Sequence, residues 1–290
     1  MEEMPLVTIA IPFFNNEKTI VDAVKSVFAQ SYLNWELLLI NDGSTDGADA
    51  FLSNILDKRV KLFSDGKNLG RVYRLNQVPS IAKGKYIARM DGDDLMHPLR
   101  IEKQVAFLEA HPEIDIIDTS TYTIDENNFP IGVRNLGALE LNRRDLLTRS
   151  LFTHPAVMAK RNWFASNAYD PFFARAEDMD LWLRSYSETR HGRLREPLLF
   201  YREGRVNVKN YFLTMKEVRH ILRKHGPLFG DRRTIAFEYL KTYFKASLYG
   251  IFGIFGLQNI LSAKRNDPLD HNQREQITKI IQQIRAQELF

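Results

Sequence analysis

Four apolar runs recur between residues 6 and 90, and helical spacing fills the gaps between them. The runs are 6–12, closed by Pro12, then 35–40, the short 60–63, and 85–90. A helix is expected over about 18–30, with Ile20, Val24, Val27 and Phe28 on one face. A second is expected over about 48–57. A third opens at Asn68-Leu69-Gly70-Arg71 and ends near Ala82-Lys83-Gly84. This alternation restricts the chain to an α/β fold with a parallel sheet and crossover helices. In such sheets ligands bind beyond the carboxyl ends of the strands. Three polar loops, 12–17, 41–46 and 91–94, therefore fall along one edge.

The last of these loops is the most demanding chemically. Arg89-Met90-Asp91-Gly92-Asp93-Asp94 sets three carboxylates within four residues, directly after a strand. Their repulsion is relieved either by solvent at an acidic turn or by a hard divalent cation, which takes oxygen ligands and shares them with a diphosphate. Its convergence with two other polar loops favours the cation.

Residues 95–110 are expected to be helical after Pro98, with Ile101, Val105 and Leu108 facing in. Strands are expected at 114–118, 120–124, 156–159 and 198–202, a tip at 125–128 and a helix over 141–151. Ala176-Glu177-Asp178-Met179-Asp180-Leu181-Trp182 leads an acidic start into an amphipathic helix. Carboxylates there suit the helix dipole, so capping and catalysis compete as readings of Glu177 and Asp178.

The chain has 290 residues, 44% of them hydrophobic and 26% charged, which is the composition of a globular protein. It has no cysteine, so disulfides, zinc–thiolate sites and thiol nucleophiles are excluded. No basic stretch followed by an apolar run opens the sequence, so no signal peptide is expected. Residues 201–290 carry 16 Lys and Arg against 8 Asp and Glu, while the remaining 24 basic and 28 acidic residues precede them. A basic C-terminal part asks for an anionic partner: nucleic acid, a lipid surface or a lipid phosphate.

Taken together, these stretches resemble the family 2 glycosyltransferases of GT-A fold, which are inverting, nucleotide-sugar-dependent enzymes, many of them building bacterial surface polysaccharides. The resemblance rests on Val7 to Asn15, the 26–30 helix end, Glu36 to Asp46 with its Asp-Gly-Ser-Thr-Asp, and Asn68-Leu69-Gly70. It continues through Lys83 to Ile87, Asp91-Gly92-Asp93-Asp94 and Glu177 to Trp182, and it covers about residues 5–205. It implies a catalytic domain over 1–205, with a nucleotide-sugar half at 1–97 and an acceptor half at 98–205, and a separate helical region at 206–290.

The resemblance also implies roles. Asp91 and Asp93 would hold Mn²⁺ or Mg²⁺ on the donor diphosphate, with Gly92 between them and Asp94 beside them. Pro12, Asn15, Glu17, Asn41 and Asp42 would form the nucleotide pocket, and Arg71 would reach base or phosphate unless it is a solvated helix residue. Asn41 stands where the family often has an acid that reads uracil; an amide oxygen still accepts that bond. Asp178 would be the base that takes the acceptor proton, with Glu177 orienting it. His154 lines the acceptor site, approaches the metal, or simply packs. Trp182 faces the core more readily than a sugar.

In the C-terminal region, Phe212, Met215, Val218 and Leu222 share one helical face, and Phe237, Leu240, Phe244 and Leu248 repeat the pattern. Residues 246–263 carry no charge, but as a helix they span ~27 Å and include three glycines, short of a ~30 Å bilayer core. The alternatives are an interfacial segment or packing on the body. Ile277, Ile280, Ile281 and Ile284 mark a last helix that packs home or forms a homodimer.

The expectation is an inverting transferase at the inner face of the cytoplasmic membrane. A UDP-sugar is the first choice of donor, and the acceptor is lipid-linked or a polysaccharide. No nucleic acid partner is expected. The rivals are a non-catalytic nucleotide-sugar scaffold and a sugar nucleotidyltransferase. The latter needs a Gly-rich basic loop where Pro12-Phe13-Phe14-Asn15 stands.

Overall fold

The structure is a computed structural model that describes residues 4–134, 136–137, 145–147, 151–204, 206–258, 261 and 265–289. Its sheet begins with β1 (Val7–Phe13), β2 (Trp35–Asn41), β3 (Val60–Ser64) and β4 (Tyr86–Arg89), all parallel in the order β3-β2-β1-β4. β1 and β2 are buried along their whole length, as their apolar runs require. The crossovers are α1 (Ile20–Phe28), α2 (Ala48–Leu52) and α3 (Arg71–Ile81). α2 ends five residues sooner than its spacing suggested, at Leu52.

Past β4 the pairing changes hand. β5 (Leu95–Met96) runs antiparallel to β9 (His191–Arg202), a pairing not anticipated from the sequence ahead of the helix expected after Pro98. Helix α4 begins only at Arg100, after Pro98. The two strands expected at 114–118 and 120–124 are one strand, β6 (Ile116–Ile124), since Thr119 keeps the extended backbone and is fully buried. β6 pairs with β9 along its length, with β8 (Met158–Lys160) at one end, and with β7 (Pro130–Arg134) at the other. A short 3-10 turn at His154–Ala156 delays β8 relative to the expected 156–159. Asp145–Leu147 is a 3-10 turn; the rest of the helix expected over 141–151 falls mainly outside the described residues.

Helices α5 (Arg161–Ser166) and α6 (Glu177–Ser185) follow, then α7 (Val208–Phe229), α8 (Arg232–Ile254) and α9 (His271–Arg285). α7 seats Ile221, Leu222 and Phe229 in the cluster that holds Leu181 and Trp182 of α6. A charged clamp fixes this junction. Asp180 is fully buried and pairs with His225 Nε2 at 2.8 Å, Lys224 Nζ at 3.2 Å and Arg184 Nε at 3.3 Å. Burial pulls its carboxyl up, but the His225 and Lys224 bonds outweigh that and hold it below its ordinary value. Its contribution to stability is therefore present above about pH 4 and lost as pH falls through the lower native value. Asp180→Ala is expected to cost about 3 kcal/mol in urea unfolding, the low end for a broken buried pair because Lys224 is nearly half exposed.

The last helix packs home. Ile277, Ile281 and Ile284 of α9 lie against Leu95, Ile124 and Phe200, and Arg285 pairs with Asp22 of α1 at 2.9 Å. Each buried isoleucine contributes roughly 1.5–3 kcal/mol, so this face is not free to pair with a second copy. Among the described residues, no helix is long and apolar enough to cross a membrane.

Candidate functional site

The carboxyl ends of β1, β2 and β4, with the end of β9, enclose a cleft of about 320 Å³. Its lining includes Pro12, Asp42, Arg71, Asp91, Gly92 and Asp93 from the expected set, and adds Phe13, Phe14, Asn16, Tyr201 and Arg202. Asn15, Glu17 and Asn41 do not line it. Asn15 and Glu17 tie the first two loops together instead, while Asn41 braces its own loop and β3. Asn15 adopts a left-handed backbone (φ 54°), which asparagine tolerates. Its N–H donates to Ser44 Oγ at 3.0 Å and its Oδ1 accepts from Thr45 N at 2.8 Å. The Glu17 amide donates to Asp46 at 2.8 Å. Asn41 is buried, with Oδ1 accepting from Ser44 N at 2.7 Å and Nδ2 donating to Ser64 at 3.3 Å.

Asp42 anchors the next loop. Its carboxylate accepts from Leu69 N at 2.9 Å, Gly70 N at 3.0 Å and Arg74 Nε at 2.9 Å. Gly70 takes φ 91°, a turn that suits glycine and launches α3 with Arg71 first. Arg71 thus enters the cleft from a fixed base. Its Nη2 sits 2.6 Å from Glu177 Oε1, close enough for an ion pair but off-line for a hydrogen bond. Burial opposes its charge, yet Glu177, Asp91 and Asp178 together raise its pKa and keep it cationic. One arginine therefore lies in the field of both acid clusters.

The acid loop is held by two arginines that the sequence reading passed over. Arg89, 2% exposed, donates from Nη2 to Asp91 Oδ1 at 2.6 Å, and its Nε and Nη1 have no hydrogen-bond partner among the described residues. Arg202 donates its backbone N–H to Asp94 Oδ1 at 2.8 Å and its Nε to the Asp93 carbonyl at 2.7 Å. It also donates to Asp125 O at 2.8 Å and Asn128 Oδ1 at 2.7 Å, strapping the acid loop to the 125–128 turn. Arg202→Leu is expected to lower stability by about 2 kcal/mol, the scale of lost charged hydrogen bonds, and to weaken divalent-ion binding. Thermal unfolding with and without Mn²⁺ checks both.

Asp91, Asp93 and Asp94 offer carboxylate oxygens that all lie within 4.8 Å of one another. Burial and the neighbouring Asp91 push Asp93 up to about 6, and burial with both neighbours holds Asp94 well above the ordinary range. Asp94 Oδ2 is buried without a donor among the described residues. An all-oxygen set, mutually repelled and short of donors, fits a hard divalent cation.

Glu177 and Asp178 open α6 and do not line the cleft; Arg71 links them to it. Burial, against the pull of Arg71, lifts Glu177 to about 7, and Asp178 repels it further. Burial likewise raises Asp178 above its usual value. His154 is buried, bonded to the Tyr169 hydroxyl at 2.8 Å and 4.0 Å from Glu177; burial, Arg89 and Arg71 keep it neutral. Trp182 packs between Phe152, Trp163 and His154 in the core.

The sequence matches Glycosyl transferase family 2 over residues 8–178. EpsE of Bacillus subtilis (strain 168), named as a glycosyltransferase, is 36% identical over 213 residues, 70% of this chain and 75% of its own. MJ1057 of Methanocaldococcus jannaschii, named as an uncharacterized glycosyltransferase, is 28% identical over 222 residues, 74% of this chain and 76% of its own. Among solved structures, S. aureus TarS 1-349 in complex with UDP superposes with TM-score 0.62 at 16% identity, covering 86% of this chain and 74% of that one. The mannosyltransferase PcManGT from Pyrobaculum calidifontis, in complex with GDP-Man and Mn²⁺, gives 0.58 at 16% identity, covering 100% and 88%. These two bear on the fold, which is that of the GT-A glycosyltransferases. The chain belongs to glycosyl transferase family 2.

Proposed function

We propose that the chain is an inverting glycosyltransferase that moves a sugar from a nucleotide-sugar donor to a lipid-linked or polysaccharide acceptor. The observation that carries this reading is the pair of acid clusters, Asp91-Asp93-Asp94 at the cleft and Glu177-Asp178 behind it, with Arg71 paired to Glu177 and lying in the field of both. A divalent cation, Mn²⁺ or Mg²⁺, held by Asp91 and Asp93 with Asp94 beside them, would neutralise the departing diphosphate. Arg71 adds positive charge on the same side. Asp178 takes the proton of the acceptor hydroxyl as it attacks the anomeric carbon opposite the leaving group. Glu177, held by Arg71, positions the acceptor or the base.

A UDP-sugar remains the first choice of donor, supported by the TarS complex with UDP, while the GDP-Man complex of PcManGT marks the alternative. Residues 1–205 act as the catalytic unit and 206–290 as a basic extension that brings the enzyme to the inner face of the cell membrane. Inversion is read directly by proton NMR of the first product formed from an α-linked donor. A β-anomeric coupling supports the single displacement; an α product removes Asp178 from the role of base.

A further inference from the structure

Helix α8 is built inside out. Its buried residues include Thr234, Glu238 and Thr242, with Ala246 and Tyr249. Its exposed residues include Phe237 at 61%, Leu240 at 66%, Phe244 at 68%, Ile251 at 55% and Ile254 at 80%. Phe237, Leu240, Phe244 and Ile251 fall at helical spacings of three, four and seven, so they share one face. The stripe from Phe237 to Ile254 runs ~26 Å. Water alone does not reward this orientation, because the apolar face is turned out and the polar face is turned in against α7.

A second observation lies beside it. Lys216, Arg219 and Arg223 of α7, with Tyr239 and Tyr243 of α8, line a groove of about 310 Å³. Arg219 donates to Thr242 Oγ1 at 3.1 Å and lies over the Tyr243 ring at 4.2 Å, and Arg223 meets the Tyr239 hydroxyl. Among the described residues, none of the three cations is paired with a carboxylate. The groove continues past Arg223 to Arg232. Tyr239 and Tyr243 immediately precede Leu240 and Phe244, so the cationic groove borders the apolar stripe.

We propose that this face of α8, with the groove between α7 and α8, docks on a bilayer surface rich in anionic phospholipid. Lipid phosphates enter among Lys216, Arg219 and Arg223, while Phe237, Leu240 and Phe244 sink to the acyl boundary. Charge selects the occupant. A symmetric pairing with a second copy would bring the basic flank of Arg232, Arg233 and Lys245 against the same basic flank of its partner, whereas an anionic surface neutralises it; Lys241 is already paired with Glu238 at 3.2 Å. Gly250 and Gly253 belong to this arrangement. A Cβ at Gly253 would fall 2.6 Å from Val208 and one at Gly250 3.2 Å from Phe212, so these glycines let α7 seat closely on α8. The inference rests on the membrane-face part of the reading above and not on the donor chemistry.

The test is sedimentation of the full chain with vesicles of phosphatidylcholine alone or mixed with phosphatidylglycerol. The protein is expected to partition onto the mixed vesicles and to be released by salt. Phe237→Ser/Leu240→Ser/Phe244→Ser is expected to weaken partitioning by tenfold or more, on the order of the lost apolar burial. Arg219→Gln/Arg223→Gln is expected to weaken it by roughly tenfold. Both variants alter exposed or half-exposed residues, and unchanged melting temperature confirms that they fold. Donor hydrolysis in solution is expected to be unchanged in both. No partitioning of the unaltered protein, or partitioning that neither variant reduces, overturns the proposal. A lipid-free dimer in sedimentation velocity that the triple variant dissolves also overturns it and assigns the face to a second copy. If no protein turns over donor yet vesicle binding follows the expected pattern, the transferase reading fails and the docking surface stands.

Discussion

Asp178→Asn is expected to slow sugar transfer by about a hundred- to ten-thousand-fold, the range for losing a positioned general base, while leaving donor affinity near its original value. The split follows from the geometry. Asp178 does not line the donor cleft and stands in the first turn of α6 beside Glu177, so in the proposed mechanism it serves the acceptor hydroxyl and not the diphosphate. The amide keeps the shape and the Met179 N–H contact at 2.8 Å but cannot take a proton. As the proposed base, the same residue is expected to set the acid limb of the pH profile. Burial raises Asp178, the base must be ionised to act, and activity therefore falls with decreasing pH above the usual carboxylate range. Steady-state kinetics across pH 5 to 8 checks both points. A large rise in donor KM with unchanged turnover would place Asp178 in donor binding instead.

Asp93→Ala is expected to remove metal-dependent turnover, a loss of about a hundred- to a thousand-fold or more for electrostatic stabilisation of a leaving group. It is also expected to remove the rise in melting temperature that Mn²⁺ gives the unaltered protein. Without metal the sign reverses. Asp93 is pushed up to about 6 by burial and Asp91, so its ionised form costs stability at neutral pH, and that cost shrinks as pH falls below about 6 and is gone only below the ordinary carboxylate value. The metal-free variant should therefore melt no lower than the metal-free parent at pH 7, whereas with Mn²⁺ the parent should melt higher. A variant that still gains stability from Mn²⁺ would show that the ion sits elsewhere than on Asp93.

Periodicity and loop chemistry made the first half of the fold readable. The β-branched run at 7–13 and the leucine-rich run at 35–41 form strands buried on both faces, and such runs announce themselves locally. Long-range pairing was not readable. Leu95 and Met96 are too short a run to signal a strand, yet they pair with Phe200 and Leu199 from more than a hundred residues away. Arg89 and Arg202 are charges set inside apolar strand runs, and that misfit was the signal for both. The sequence could not say that their targets were the Asp91, Asp93 and Asp94 groups. Asn15, Glu17 and Asn41 stand in the right loops, but which side chains turn toward the cleft and which fasten one loop to the next depends on contacts between loops. α8 is the clearest case. Its apolar spacing was visible, and the reading of packing against interfacial contact stayed open because only the position of α7 shows which face is turned out.

The central claim is tested most directly by incubating the purified protein with uridine, guanosine and thymidine diphosphate sugars plus Mn²⁺ and following release of nucleoside diphosphate. The account predicts turnover of one donor, abolished by chelation and in Asp93→Ala and severely reduced in Asp178→Asn. Metal-dependent binding of a donor with no turnover, even when lipid-linked and glycan acceptors are supplied, would favour a nucleotide-sugar-binding scaffold over a transferase. Absence of donor binding across the panel would contradict the account outright.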